Sequence, residues 1–224
     1  MYGNEATLAD LVERVTRALR PRTWSLRFVV DASPDASLAV ARRLAAADDR
    51  LSVTALATNV GQHRALARGL ADEPSASAWV CLDADLQDPP EAVPRLLDRL
   101  AEGDAAAVFA GRRGCYEGRS RTTTGRVHRA VLRGLTGLPA DSGAFVALGP
   151  AARNAIVGLA GPSIVASVGV AGLPVVSVPV ERAARPVGRS AWSATARVRQ
   201  STRTLVWAAR ARVDPEPTAP GPGG

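Results

Sequence analysis

Asp83-Ala84-Asp85-Leu86-Gln87-Asp88-Pro89-Pro90-Glu91 is the stretch of this sequence best equipped for chemistry. It directly follows Ala78-Trp79-Val80-Cys81-Leu82, an apolar run that predicts a buried strand. Two carboxylates one residue apart at a strand end can share a hard divalent cation and leave its remaining positions to diphosphate oxygens. A cation held there would neutralise a nucleoside diphosphate as it departs from a sugar. Acidic pairs after strands also serve as plain loop or cap residues, so the whole acidic, proline-closed run carries this reading rather than Asp83 and Asp85 alone.

The elements that must position these groups follow from the periodicity. Leu8, Leu11, Val12, Val15 and Leu19 form one helical stripe, with Asn4 as the expected N-cap and Pro21 after the stop. Leu26 to Val30 predicts a strand ending at Asp31, followed by a helix through Leu38, Val40, Ala41 and Leu44. Ser52 to Ala57 predicts a strand and Gln62 to Leu70 a helix. A helix through Val93, Leu96, Leu97 and Leu100 and a strand over Ala105 to Ala110 come after the acidic run. Such alternation predicts an α/β fold with a mostly parallel central sheet flanked by helices. Ligands of these sheets bind beyond the carboxyl ends of the strands, where both Asp31 and Asp83 fall.

Beyond Gly111 the pattern loosens into an Arg-rich loop, Arg112 to Arg126, and a helix from Val127 to Leu135. Ala155 to Val180 carries no charge and passes for a membrane span by composition. Its Gly158, Gly161, Pro162, Gly169, Gly172, Pro174 and Pro179 argue instead for buried strands and turns. A basic segment, Ser193 to Val213, precedes a Pro/Gly-rich tail expected to be disordered.

The net charge of +7 comes from 28 basic residues that are all Arg. Guanidinium forks suit nucleotides, lipid phosphates and nucleic acid alike, and a GC-rich coding sequence gives the same bias. The basic residues are spread along the chain without a nucleic-acid-binding signature, which argues against a DNA- or RNA-binding protein. Cys81 and Cys115 lack the short spacing of a zinc or redox pair, and His63 and His128 suit surface or packing roles. Asn4, Glu5 and Asp10 in the opening residues exclude a signal-peptide pattern there, so a cytoplasmic location is expected.

Taken together, these segments resemble the family 2 glycosyltransferases of GT-A fold, in particular those that charge polyprenyl phosphates such as dolichyl or undecaprenyl phosphate. The acidic run resembles the family's signature. Phe28-Val29-Val30-Asp31-Ala32-Ser33-Pro34-Asp35 resembles its VDDGSxD, and Asn59-Val60-Gly61-Gln62-His63-Arg64-Ala65-Leu66 its NxGxxxAL. Ala110-Gly111-Arg112-Arg113 resembles its basic pair, and Arg185-Pro186-Val187-Gly188-Arg189-Ser190-Ala191-Trp192 its RxxGxSxY. The likeness spans Tyr2 to Trp192, and implies a GT-A domain over 1–192, a basic amphipathic helix over 193–213 and a tail over 214–224.

The resemblance implies an inverting transfer of a sugar from a UDP- or GDP-linked donor to a polyprenyl phosphate. Mg2+ or Mn2+ would be held by Asp85, Gln87 and Asp83. Tyr2, Asp31, Asp83 and Arg113 would bind the nucleotide sugar, and Arg185, Arg189 and Ser190 the donor and acceptor phosphates. Asp85 and Asp141 are the catalytic candidates, Asp141 as a base, although an anionic phosphate acceptor needs positioning more than deprotonation. Asp31 and Asp35 serve equally well as helix caps on their own evidence. A polysaccharide or small-molecule acceptor, or an inactive partner subunit, are the alternatives.

Two departures stand out. The family opens with an apolar strand leading into a Tyr-Asn-Glu loop, whereas Met1-Tyr2-Gly3-Asn4-Glu5 matches the loop alone, so the first strand is expected to be missing and an upstream segment to be translated. Val30 and Ala32 also replace the first Asp and the Gly of VDDGS. Arg197, Arg199, Arg203, Arg210 and Arg212, interleaved with Val198, Leu205, Val206 and Trp207, suit either the inner face of an anionic membrane or a plain surface helix.

Overall fold

A computed structural model describes residues 1–113, 130–182 and 194–213. The first half alternates as its periodicity dictates: α1 (Leu8–Ala18), β1 (Leu26–Asp31), α2 (Ser37–Ala47), β2 (Leu51–Leu56), α3 (Gln62–Ala71), β3 (Trp79–Cys81), a 3-10 turn (Pro90–Ala92), α4 (Val93–Ala101) and β4 (Ala107–Arg113). A short helix, α5 (130–136), then leads to β5 (Val146–Leu148), α6 (Pro150–Leu159), α7 (Ile164–Val170), β6 (Val175–Glu181) and α8 (Ala194–Val213).

β1 and β2 pair in parallel, Leu26 opposite Leu51 through Asp31 opposite Leu56. The second sheet runs β3-β5-β4-β6, with β4 and β6 parallel and β5 antiparallel to both neighbours. Because β5 sits between β3 and β4, two of this sheet's three pairings are antiparallel, and the parallel pairings are β1–β2 and β4–β6. β5 has only three residues, all buried, and no alternation marks it in the sequence.

Successive strand residues face opposite layers, which divides the core in two. Phe28, Val30, Val108, Ala110, Phe145 and Ala147 pack with α1, α2 and α4, against Leu8, Leu11, Ala41 and Leu96. Ala107, Phe109, Val146 and Leu148 pack on the other face, against Leu132, Ile156, Ile164 and Val168. Phe109 and Leu148 are completely buried, so the aliphatic composition still closes a layered α/β/α core.

Three local expectations are corrected. The uncharged stretch folds as two helices and one strand rather than as strands and turns. Pro150 opens α6, Ala160 closes it in the left-handed conformation at φ 45°, and Ser163 caps α7 through Ala166 N. These helices form an angle of 106°, and α7 is buried over Ile164 to Gly169; no single described helix is long and apolar enough to cross a membrane. Second, Thr7 rather than Asn4 precedes α1, while the Asn4 carbonyl accepts from Thr7 N. Third, Arg112 and Arg113 end β4 opposite Val180 and Glu181 instead of opening a loop. The apolar Leu205 and Trp207 of α8 pack against the second core, with Ala208 buried beside them, as a surface helix does.

Candidate active site

The carboxyl ends of β1 and β3 deliver Asp31 and Asp83 to one rim, with the loops that follow closing around it. Asp31 is 3% exposed, and its two oxygens accept from the backbone amides of Val60 (2.7 Å) and Gly61 (2.8 Å). Asn59 Nδ2 donates to the Asp31 carbonyl at 3.1 Å. Gly61 has φ 87°, a conformation that side chains strain to reach, and this turns its amide onto the carboxylate as α3 begins. Asp31 therefore fastens the Asn59–Gln62 loop.

The opening residues lie over the same rim. Gly3 N donates to Ser33 Oγ (2.8 Å), Asn4 N to Ser37 Oγ (3.0 Å) and Glu5 N to Asp35 Oδ2 (3.2 Å). Glu5 returns a bond by accepting from Ala36 N at 2.8 Å. Burial acts to raise the Asp35 pKa, but bonds from Ser33, Ser37 and the Glu5 amide outweigh it and hold the carboxyl at about 2. Tyr2, half exposed at 42%, stands at the edge of this lacing, and its amide donates to Asn4 Oδ1.

Thr7 Oγ1 extends the lacing to the acidic loop by donating to Ala84 O at 2.6 Å. Asp83 Oδ1 accepts from Gln62 Nε2, and Asp83 Oδ2 lies 3.6 Å from Arg182 Nη2. Asp85, 8% exposed, accepts from the Gln87 amide at 3.1 Å, which folds the loop back on itself. Leu86 adopts φ 60° and drops its side chain into the core. Asp88 is 2% exposed and takes Arg182 Nε at 3.0 Å. Arg14 clamps Glu91 through two bonds of 2.8 and 2.7 Å, fixing the end of the acidic run to α1.

The loop thus presents two hard carboxylates, Asp83 and Asp85, at the wall of one large cavity. Among the described residues no group of three His, Cys, Asp or Glu side chains is placed to enclose a metal. Two carboxylates that line a cavity suit Mg2+ or Mn2+, which keep several positions for water and phosphate, rather than a closed structural metal.

Asp141 stands on the other side of the rim, where the carboxyl ends of β4 and β6 meet. A Cβ at Gly111 would lie 2.3 Å from both Asp141 Oδ2 and Ser177 Oγ, so only glycine admits this carboxylate. Arg113 ends β4 nearby in the strand register. Arg185, Arg189 and Ser190 lie outside the described residues. Arg182 and Thr7 were not singled out from the sequence, because neither belongs to a motif and their partners are 94 and 77 residues away.

A layered α/β fold with Asp31 and Asp83 at the carboxyl ends of its strands, beside one large cavity, defines the class of domain. Residues 1–148 match the model of Glycosyl transferase family 2, and the chain belongs to that family. Its sequence is 39% identical over 107 residues to undecaprenyl-phosphate 4-deoxy-4-formamido-L-arabinose transferase of Pseudomonas paraeruginosa, covering 46% of this chain and 31% of that one. An uncharacterized glycosyltransferase of Bacillus subtilis, YkcC, is 29% identical over 151 residues, covering 65% and 46%. The chain therefore spans about a third to a half of these curated relatives' length. Glucosyl-3-phosphoglycerate synthase of Mycobacterium tuberculosis, solved with Mn2+, UDP-glucose and phosphoglyceric acid, superposes with a TM-score of 0.66 at 18% identity, covering 96% of this chain and 78% of that one. At that identity the likeness establishes the GT-A fold.

Proposed function

We propose that this chain performs a metal-dependent, inverting transfer of a sugar from a nucleoside-diphosphate donor to a polyprenyl phosphate. The observation that carries this reading is the Asp83–Asp85 loop, which lines the cavity at the rim and is joined to the Asp31-anchored loop through Gln62, in a chain of this family. The named relative that acts on undecaprenyl phosphate supports the acceptor class. The solved neighbour that holds Mn2+ with UDP-glucose supports a divalent cation and a nucleoside-diphosphate sugar.

In this reading Tyr2 and the Asn59–Gln62 loop border the base and ribose, with Asp31 setting the loop's shape. Asp83, Asp85 and Gln87 would hold Mg2+ or Mn2+, which would supply positive charge where the diphosphate departs. Arg113, Arg185, Arg189 and Ser190 orient the donor and acceptor phosphates, a role suited to fixed guanidinium forks. The acceptor phosphate oxygen attacks the anomeric carbon from the face opposite the departing diphosphate. One bond forms as the other breaks, and the configuration inverts. Such a nucleophile is already anionic, so Asp141 acts on position more than on protons. The exposed arginines of α8, Arg199, Arg203 and Arg210, suit contact with the anionic inner face of the plasma membrane.

The test is transfer itself. Label should move from a UDP- or GDP-sugar to undecaprenyl phosphate in detergent, with EDTA abolishing it and Mn2+ or Mg2+ restoring it. Transfer that is unaffected by EDTA, or product with a soluble phosphate acceptor but none with the lipid, would contradict the reading.

A further inference from the structure

Arg182 is the first residue beyond β6, and the strand fixes where its side chain starts. Glu181 before it still pairs with Arg113 of β4, and Arg95 of α4 donates through Nη1 to the Pro179 carbonyl at 3.2 Å. From that anchor one edge of the guanidinium meets two carboxylates of the acidic loop. Nε lies 3.0 Å from Asp88 Oδ1, and Nη2 lies 3.6 Å from Asp83 Oδ2. The fork is planar and rigid, so holding Nε on Asp88 keeps Nη2 beside Asp83.

The two contacts differ in kind. Asp88 is almost fully buried, and its bond to Nε is direct and shielded from water. Asp83 has a side chain 25% exposed, and its distance to Nη2 is too long for a direct hydrogen bond, so attraction between charges is what remains. That separation is well inside the Debye length of about 8 Å in physiological salt, so screening does not remove it. Asp88 uses the Nε donor, and the terminal nitrogens keep donors of the kind that grip phosphate oxygens. A positive charge fixed here opposes a bare cation at Asp83 and favours a diphosphate.

Resting on the donor-site reading above, we propose that Arg182 is a tethered counter-ion to Asp83 that competes with the divalent cation for this carboxylate and makes cation binding depend on the nucleotide diphosphate. Without nucleotide, the cation binds against the guanidinium charge. With nucleotide, the terminal N–H groups turn to the diphosphate while Nε stays on Asp88, and the penalty lifts. By linkage, cation and nucleotide raise each other's affinity by the same factor. If Arg182 only braced Asp88, the sign would be opposite, because its loss would loosen the loop and weaken the cation.

The experiment measures Mn2+ binding by electron paramagnetic resonance, without nucleotide and with saturating UDP or GDP. Arg182→Gln alone strands the Asp88 charge in the interior, so Asp88→Asn is compared with Asp88→Asn/Arg182→Gln. Loss of the guanidinium should tighten Mn2+ by about tenfold without nucleotide and give no gain with it, so that the coupling falls by about tenfold. Asp88→Asn/Arg182→Lys, which keeps the charge, should bind Mn2+ as Asp88→Asn does. Should the glutamine pair not fold, Asp88→Leu/Arg182→Met, an apolar pair of similar volume, carries the comparison. Mn2+ bound equally or more weakly without the guanidinium, or equally tightened in the lysine variant, would overturn the proposal. Binding that is lost in Asp85→Ala yet indifferent to Arg182 overturns this inference alone. Mn2+ bound by no variant overturns it together with the donor-site reading.

Discussion

Arg182, the residue that follows β6, reaches back to the acidic loop and binds Asp88, with its Nε 3.0 Å from Asp88 Oδ1. Asp88 is almost fully buried, and its Oδ2 has no hydrogen-bond partner among the described residues. The guanidinium is therefore what makes that buried carboxylate tolerable, because an unpaired charge in the interior is heavily penalised. Arg182→Ala should cost about 3 kcal/mol in urea denaturation, whereas Asp88→Asn, which removes the charge along with its partner's task, should cost less. Equal losses in the two variants would contradict this account.

The same loop could be found in the sequence while its clamp could not. Asp31 and Asp83 were legible because apolar runs end at them, and a run that ends in a charge marks the point where a strand leaves the core. Motifs located the rim, but Arg182 and Thr7 reach it across long stretches of chain and carry no local pattern.

The uncharged stretch illustrates the converse error. Gly161 and Pro162 separate α6 from α7, and Gly172 and Pro174 separate α7 from β6, so they punctuate helices rather than prevent them. Gly169 lies inside α7 because a Cβ there would meet Thr136 Cβ at 2.6 Å, a packing demand that composition does not reveal.

Gly61→Ala should destabilise the fold by about 1–2 kcal/mol, since alanine is strained at φ 87° and the Asp31 carboxylate would lose its aligned donor. Thermal melting measures the loss. Asp31→Asn in the same background should add little, because the two changes break one interaction.

Gly111→Ala should displace Asp141, since its Cβ would fall 2.3 Å from the carboxylate oxygen. We expect a stability loss of about 1–3 kcal/mol and slower sugar transfer, whereas Gly134→Ala, in helix α5 where a Cβ meets nothing within 4 Å, should leave transfer unchanged and raise stability by up to about 1 kcal/mol. Rates and melting temperatures for the two variants decide it.

The acid limb of stability should carry the signature of Asp35. Its folded pKa is depressed to about 2, so the stabilisation is fully present above the ordinary carboxylate range and is lost as pH falls from about 4 towards 2. Asp35→Asn should flatten that part of the pH–stability curve by on the order of 1 kcal/mol. An unchanged slope between pH 4 and 2 would contradict the assigned hydrogen-bond set.

The most direct test of the donor site is calorimetric binding of UDP and GDP with and without Mn2+ or Mg2+, on the wild-type chain and on Asp85→Ala. The account predicts that one nucleotide binds only with the cation, and that Asp85→Ala loses this binding by about 100-fold or more while remaining folded. Nucleotide binding of equal strength in EDTA, or unaltered in Asp85→Ala, would contradict it.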